Sequence, residues 1–295
     1  MRPRSDPLPR ELEEALDAVR ARLGVLGTSW LYYPTVGSTN DVAAALAGAP
    51  GDGVDRLEGA VVIADAQTAG RGRRGRTWFS PPGSGLYISV LLLPGRARPS
   101  PERATSLLTL AAGVAIAEGI ERVTGLGPQI KWPNDVLVGR RKLAGILAEG
   151  VVADRADRSA GIGHVVLGYG INVGLMSVPA DLRERTTSLE AELGRAVDRA
   201  AVAAESLAAL AARYDDLLTG RFDAILDAWR RRSPSSLGTR VTWAPGSTAG
   251  AAGTAAVTGD TRSGLTAGID EDGALLVRTS LGTERVVAGE LTWEI

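Results

Sequence analysis

The sequence predicts a mixed α/β chain, of the α+β kind, that ends in a small all-β unit. Three observations predict it. Apolar runs of strand length, at 60–64, 86–93 and 165–173, are buried-strand signals. Ala- and Leu-rich stretches of helical length, at 101–123 and 200–219, lie between and after them. From Leu237 onward the helical pattern stops, and short β-type runs alternate with Gly and Asp turns.

Leu12, Ala15, Leu16, Val19 and Leu23 recur at helical spacing, so residues 9–24 are expected to be helical, with Gly24 as the stop. Only 37 residues precede Ser38, too few for a complete winged helix-turn-helix. Ser38-Thr39-Asn40-Asp41, ahead of Val42–Ala47, reads as a helix N-cap. The cap is the reading the segment favours by itself; the alternative is polar side chains at a helix N-terminus turned toward a ligand. Ser100-Pro101-Glu102 opens the long helix, with Pro in the first turn and an acid at the positive dipole end.

Ile130-Lys131-Trp132 reads as a strand end, Pro133-Asn134 as a turn and Val136–Val138 as a return strand. Gly139–Arg141 turns again into Lys142–Glu149. A lysine directed inward beside an apolar sheet is costly unless an anion meets it, which points to Lys131, supported by Lys142 across the hairpin; both also fit ordinary surface lysines. Gly168, Gly170 and Gly174 interrupt the next strand, and strand glycines often mark the close approach of a ligand or backbone. A helix at 225–232 and a Ser233-Pro234-Ser235-Ser236 linker follow. Runs at 240–243, 253–257, 264–269, 274–277 and 284–287, with a hairpin signal at Asp270-Glu271-Asp272-Gly273, suggest a small barrel. The expected division is an N-terminal helix over 1–30, a catalytic unit over 31–234 and the barrel over 235–295.

Composition narrows the chemistry. At 295 residues and 44% hydrophobic, the chain can bury a sizeable core. It contains no cysteine, so disulfides, thiolate metal sites and cysteine nucleophiles are excluded. Its one histidine, His164, lies in a strand-like alternation and cannot build a His-rich metal site; no metal site of the protein's own is expected. Basic and acidic residues balance, 33 against 34, with an isoelectric point near 6.0, which argues against a nucleic-acid partner. No uninterrupted apolar run reaches the roughly 18–20 residues that cross a bilayer, and the start lacks a signal-peptide core. A cytoplasmic protein with no membrane partner is expected.

The densest feature is Gly70-Arg71-Gly72-Arg73-Arg74-Gly75-Arg76-Thr77-Trp78. Crowded like charges should leave it mobile in isolation. Glycine permits close backbone approach, and each arginine offers a fork of donors suited to phosphate or carboxylate. Gly70, Gly72 and Gly75 also spell a dinucleotide fingerprint, but Ser80-Pro81-Pro82-Gly83 follows too soon for the helix that motif must open. A basic nucleic-acid patch is a second reading, a solvated basic turn a third. A loop that closes over a small phosphorylated ligand accounts best for the arginines, glycines and Trp78 together.

In order and spacing, Ser38-Thr39-Asn40, Gln67 through Trp78, Lys131-Trp132-Pro133-Asn134-Asp135, Lys142–Leu147 and Gly168-Tyr169-Gly170-Ile171-Asn172 resemble the biotin–protein ligases. The resemblance covers roughly residues 35–175. It implies a catalytic domain like those of class II aminoacyl-tRNA synthetases, followed by an SH3-like β-barrel. It implies that ATP and biotin form biotinyl-5′-AMP with Mg²⁺, and that a lysine of a biotin carboxyl carrier domain of an acyl-CoA carboxylase then displaces AMP. By motif match, Ser38, Thr39, Asn40, Gln67, Arg71, Gly72, Arg73 and Lys131 are expected on the biotin side. Arg73, Arg74, Arg76, Trp78, Asn134, Lys142 and Asn172 are expected on the ATP side, with Lys131 and Arg71 as the catalytic pair. A homodimer stays open. No operator binding is expected. The alternatives are a lipoate ligase of the same fold and, from another class, a nucleic-acid-binding regulator that uses the arginine loop.

Overall fold

Residues 5–48, 57–152, 162–174, 179, 182–243, 261–287, 289 and 291–294 are described by the structure, a computed structural model. Seven strands form its first sheet: β1 (Trp30–Tyr33), β2 (Val61–Ala64), β3 (Gly85–Leu92), β4 (Gln129–Lys131), β5 (Asp135–Val138), β6 (Arg141–Val152) and β7 (Ile162–Asn172). They lie in the order β1-β2-β3-β7-β6-β5-β4. β1 and β2 are parallel; every other pair of neighbours is antiparallel.

Register decides what each face carries. Gly170 lies opposite both Tyr87 and Gly145, and Gly168 opposite both Ser89 and Leu147. Side chains alternate along a strand, so Ser89, Gly145, Leu147, Glu149, Gly168 and Gly170 share one face. The intervening residues Ile88, Val90, Ile146, Leu167 and Ile171 belong to the main apolar core. There they join α1 (Arg10–Ala18), α3 (Pro101–Thr124), α5 (Arg199–Leu218) and α6 (Phe222–Arg232) through Leu12, Val114, Leu207 and Trp229. Gly119 lets α3 and α5 close up, because a Cβ there would stand 2.6 Å from the Ser206 backbone. By length and composition α3 could span a bilayer, yet 72% of its apolar window is buried inside the protein.

The short helix α2 (Thr39–Ala47) covers one end of the glycine-bearing face, with Ala43 and Leu46 packed on Val62, Ala64, Leu91 and Val166. Beyond the start of α2, no helix among the described residues covers that face. A further one-turn helix, α4 (Leu189–Leu193), follows the sheet.

The second sheet holds β8 (Leu237–Trp243), β9 (Arg262–Ile269), β10 (Leu275–Thr279), β11 (Gly282–Val286) and β12 (Leu291–Glu294), in the order β11-β10-β9-β8-β12. All its neighbours are antiparallel, consistent with an SH3-like unit. The hairpin between β9 and β10 forms at Asp270, whose Oδ1 accepts from the Asp272 and Ala274 amides, while Gly273 takes φ +83°. Gly273 also meets α3: a Cβ there would lie 2.7 Å from Leu110, and its carbonyl accepts from the Trp132 indole at 3.0 Å.

Three expectations need correction. The first helix stops at Ala18, because Val19 leaves helical geometry (φ −108°, ψ 5°), and short 3₁₀ turns carry Leu23 and Leu26 into the core. Ser233–Ser236 is no loose linker: Ser233 and Ser236 are buried, and the Ser236 hydroxyl donates to the Ser233 carbonyl at 2.6 Å. The fifth strand of the second sheet is Leu291–Glu294, read from sequence as no strand at all. The expected run at 253–257 lies outside the described residues.

Candidate active site

Ser38 occupies the N-cap of α2 with extended backbone, but its side chain makes no capping hydrogen bond. Thr39 and Asn40 are buried and bond across the open face instead. Gln67 Oε1 accepts from the Thr39 amide at 2.9 Å and from its hydroxyl at 3.2 Å, and Gln67 Nε2 donates to Ser80 Oγ at 3.0 Å. Ser89, wholly buried in β3, places its Oγ 2.7 Å from Thr39 Oγ1 and 2.6 Å from Asn40 Oδ1. Asn40 Nδ2 donates to Glu149 on β6 at 2.7 Å.

The strand glycines explain why these groups converge. A Cβ on Gly168 would lie 2.0 Å from Asn40 Oδ1, and one on Gly170 would lie 2.3 Å from Trp78 Nε1. Gly145 extends the same floor: a Cβ there would stand 3.0 Å from both the Lys142 side chain and the Trp78 ring. Bare backbone on two adjacent strands thus lets an amide and an indole lie flat on the sheet.

The arginine loop is folded down over this floor rather than open. Trp78 N donates to the Gly70 carbonyl at 2.9 Å and Gly72 N to the Arg76 carbonyl at 2.7 Å, closing a hairpin whose tip places Arg74 and Gly75 at positive φ. Gly70 is indispensable here, since a Cβ would stand 2.4 Å from the Trp78 carbonyl. Arg71 donates to both oxygens of Glu149, at 3.0 and 2.7 Å, and sits 2.8 Å from Asp41. Arg73 donates to Asn134 Oδ1 at 3.2 Å, and Asn134 is fixed by its own bond to the Ile146 carbonyl at 2.8 Å. Ionic attraction and these polar partners outweigh the repulsion among the loop's like charges.

Under the loop lies a cleft with about 50 Å³ of free space, lined by Ser38, Thr39, Asn40, Gln67, Arg71, Gly72, Arg73, Trp78, Asn134, Lys142 and the glycine floor. Lys142 Nζ bonds Asp135 at 2.6 Å and stands 5.2 Å from the centroid of the Trp78 ring. Tyr169 also borders the cleft; burial pushes its phenol well above the usual tyrosine range, so it stays neutral at any physiological pH. A larger cavity of about 580 Å³ adjoins it, sharing Arg73, Asn134, Ile146 and Leu147, and reaches α3 and the second sheet at Gly273 and Arg285.

Four expected site residues are placed elsewhere. Lys131 shares a face with Asp135 and Gly145 but lies two strands out from Gly145, about 10 Å at ordinary strand spacing. Its ammonium stands 5.5 Å from the ring centroid of Trp293, and it lines neither cavity. Arg74 and Arg76 are exposed at the loop tip and line neither cavity. Asn172 is buried and donates to the Thr187 carbonyl at 3.0 Å, tying β7 to the segment before α4. Conversely, Gly145 lines the cleft, while Ser89 and Glu149 line neither cavity but hold Thr39, Asn40 and Arg71 in place; none of the three was expected. The lone serine in Leu86–Leu93 and the lone acid ending Lys142–Glu149 were the available signals. His164 is buried in β7 opposite Val151 and lines neither cavity.

Comparison with known proteins bears on this arrangement directly. Residues 55–172, which carry the loop, the Lys131–Asp135 turn and the glycine floor, match the Biotin/lipoate A/B protein ligase family. The bifunctional ligase/repressor BirA of Bacillus spizizenii is 34% identical over 287 residues, 96% of this chain and 79% of that protein. The chain belongs to the biotin/lipoate A/B protein ligase family. Another member, the biotin–[acetyl-CoA-carboxylase] ligase of Paracoccus denitrificans, is 34% identical over 86% of this chain and 96% of its own length. Among solved structures of the family, the biotin protein ligase of Aquifex aeolicus in complex with biotin and ATP superposes with a TM-score of 0.70 at 26% identity, covering 90% of this chain and 99% of that one.

Proposed function

We propose that the protein is an ATP-dependent biotin–protein ligase. The observation that carries this reading is the cleft: an ammonium and an arginine loop face paired amides and hydroxyls across a glycine floor, in a chain whose relatives are named biotin ligases. In the first step a biotin carboxylate oxygen attacks the α-phosphorus of ATP. The bond to pyrophosphate breaks, leaving biotinyl-5′-AMP. In the second, an uncharged lysine amine of a carrier domain attacks the acyl carbon, AMP departs, and the amine proton passes to solvent. Neither step needs a covalent enzyme intermediate. Positioning and neutralisation of phosphate charge supply the catalysis.

The residues divide by chemistry. A bicyclic urea offers two N–H donors and a carbonyl acceptor, and Thr39, Asn40, Gln67 and Ser89 can match them by exchanging hydrogen bonds they now make with one another. Lys142, already inside the cleft, is the ammonium that would meet the carboxylate and α-phosphate. Arg73 and Asn134 lie where the cleft opens into the larger cavity, which supports a nucleotide bound on that side. About 50 Å³ accommodates only a water or two, so ligand entry requires the loop or Trp78 to move. Mg²⁺ would arrive on the triphosphate: it favours phosphates plus one or two carboxylates, and the described residues hold no cluster of three His, Cys, Asp or Glu. Asp135, beside Lys142, is the carboxylate that could complete its shell. The acceptor is a biotin carboxyl carrier domain of an acyl-CoA carboxylase, in keeping with the relatives' names. We read residues 31–234 as the catalytic unit and 235–295 as the SH3-like unit.

Pyrophosphate release with ATP and either biotin or lipoate tests the assignment. Biotin is expected to drive release and lipoate to leave it at background. Turnover with lipoate alone would overturn the biotin reading, and salt-sensitive DNA binding without either acid would favour a regulator.

A further inference from the structure

Glu149 is the point at which three separate segments meet. It is contributed by β6, takes both terminal nitrogens of Arg71 from the loop, and accepts from Asn40 in the first turn of α2. Both carboxylate oxygens are in use. An exposed ion pair would contribute little, but this side chain is only 34% exposed and the arginine contact is two-pronged. Asp41, the other acid on Arg71, is 60% exposed and makes a single contact, so it is the weaker anchor.

We propose that Glu149 is a positioning residue for the ligase reaction, acting chiefly through Arg71 to hold the arginine loop down on the cleft and retain the acyl-adenylate. The inference rests on the ligase reading above. Its chemistry is specific to a carboxylate. An amide at this position keeps the shape but turns an N–H₂ group toward Arg71 or Asn40, which are themselves donors. The loop then loses part of its clamp while Lys142, Gln67 and the glycine floor stay intact.

The test compares wild type with Glu149→Gln in two assays: biotin dependence of pyrophosphate release, and escape of biotinyl-5′-AMP trapped in solution by hydroxylamine. Loss of charge-assisted bonds of this kind is expected to raise both the biotin KM and the escape rate by about tenfold. Single-turnover adenylation at saturating biotin should change by no more than about threefold, because no transition-state contact is removed. The thermal midpoint should stay near wild type, since the side chain is partly exposed. With Arg71→Ala already present, Glu149→Gln should add less than half its single effect on a logarithmic scale. Escape and KM within about twofold of wild type, or an effect undiminished by the loss of Arg71, would overturn the proposal. Wild-type protein that releases no pyrophosphate with biotin would instead sink the ligase reading, and needs no variant to be seen.

Discussion

Lys142→Ala is expected to lower biotin-dependent adenylate formation by about 10²–10³, the usual cost of losing one preorganised electrostatic contact to a transition state. Lys131→Ala is expected to stay within a few-fold of wild type, as for a substitution away from the reacting groups. The two lysines flank one hairpin and are alike in sequence terms; geometry separates them. Lys142 is inside the cleft, 2.6 Å from Asp135 and under the Trp78 ring, whereas Lys131 packs its ammonium on Trp293 beside the edge strand. The Asp135 contact fixes where the Lys142 side chain points. Rapid-quench measurement of biotinyl-5′-AMP in both variants decides the matter, and a large loss in Lys131→Ala with little change in Lys142→Ala would reverse the assignment.

Gly168→Ala is expected to weaken biotin binding by about 10–100-fold while the fold persists. The added methyl would stand 2.0 Å from Asn40 Oδ1 and 2.8 Å from its Cγ, so the amide must leave its position. Leaving breaks its bonds to Ser89 and Glu149. Each such bond is worth about 1 kcal/mol, more where a charge takes part, and about 1.4 kcal/mol is tenfold in affinity. The backbone itself tolerates alanine, because this is regular antiparallel strand. Gly170→Ala should act by the parallel route of lifting Trp78, whose Nε1 would be 2.3 Å from the new Cβ. Calorimetric titration with biotin, alongside circular dichroism, is the measurement; wild-type affinity in Gly168→Ala would place the biotin site away from Asn40.

The sequence made parts of this site legible and hid others for physical reasons. Alternating glycines and a glycine–arginine loop are local signals, and both mark places where side chains or backbone close up on bare strand. The difference in position between Lys131 and Lys142 is not local. Alternation puts Lys131 on the correct face, but its distance from the floor depends on β4 being the outermost strand, a fact of sheet order rather than of spacing. Ser89 and Glu149 went unread because strand periodicity says that two faces exist, not which one α2 covers. The loop's anchors were hidden for a related reason: Glu149, Asp41 and Asn134 are distant in sequence and only the fold delivers them.

A crystal of the protein grown with biotin and ATP tests the central claim most directly. The account predicts biotinyl-5′-AMP beneath the arginine loop, with the Lys142 ammonium within hydrogen-bonding reach of the acyl-phosphate oxygens and the ureido ring against Asn40 and Gln67. Density confined to the larger cavity at Leu110 and Gly273, or an adenylate that contacts Lys131 with Lys142 still bound only to Asp135, would contradict it.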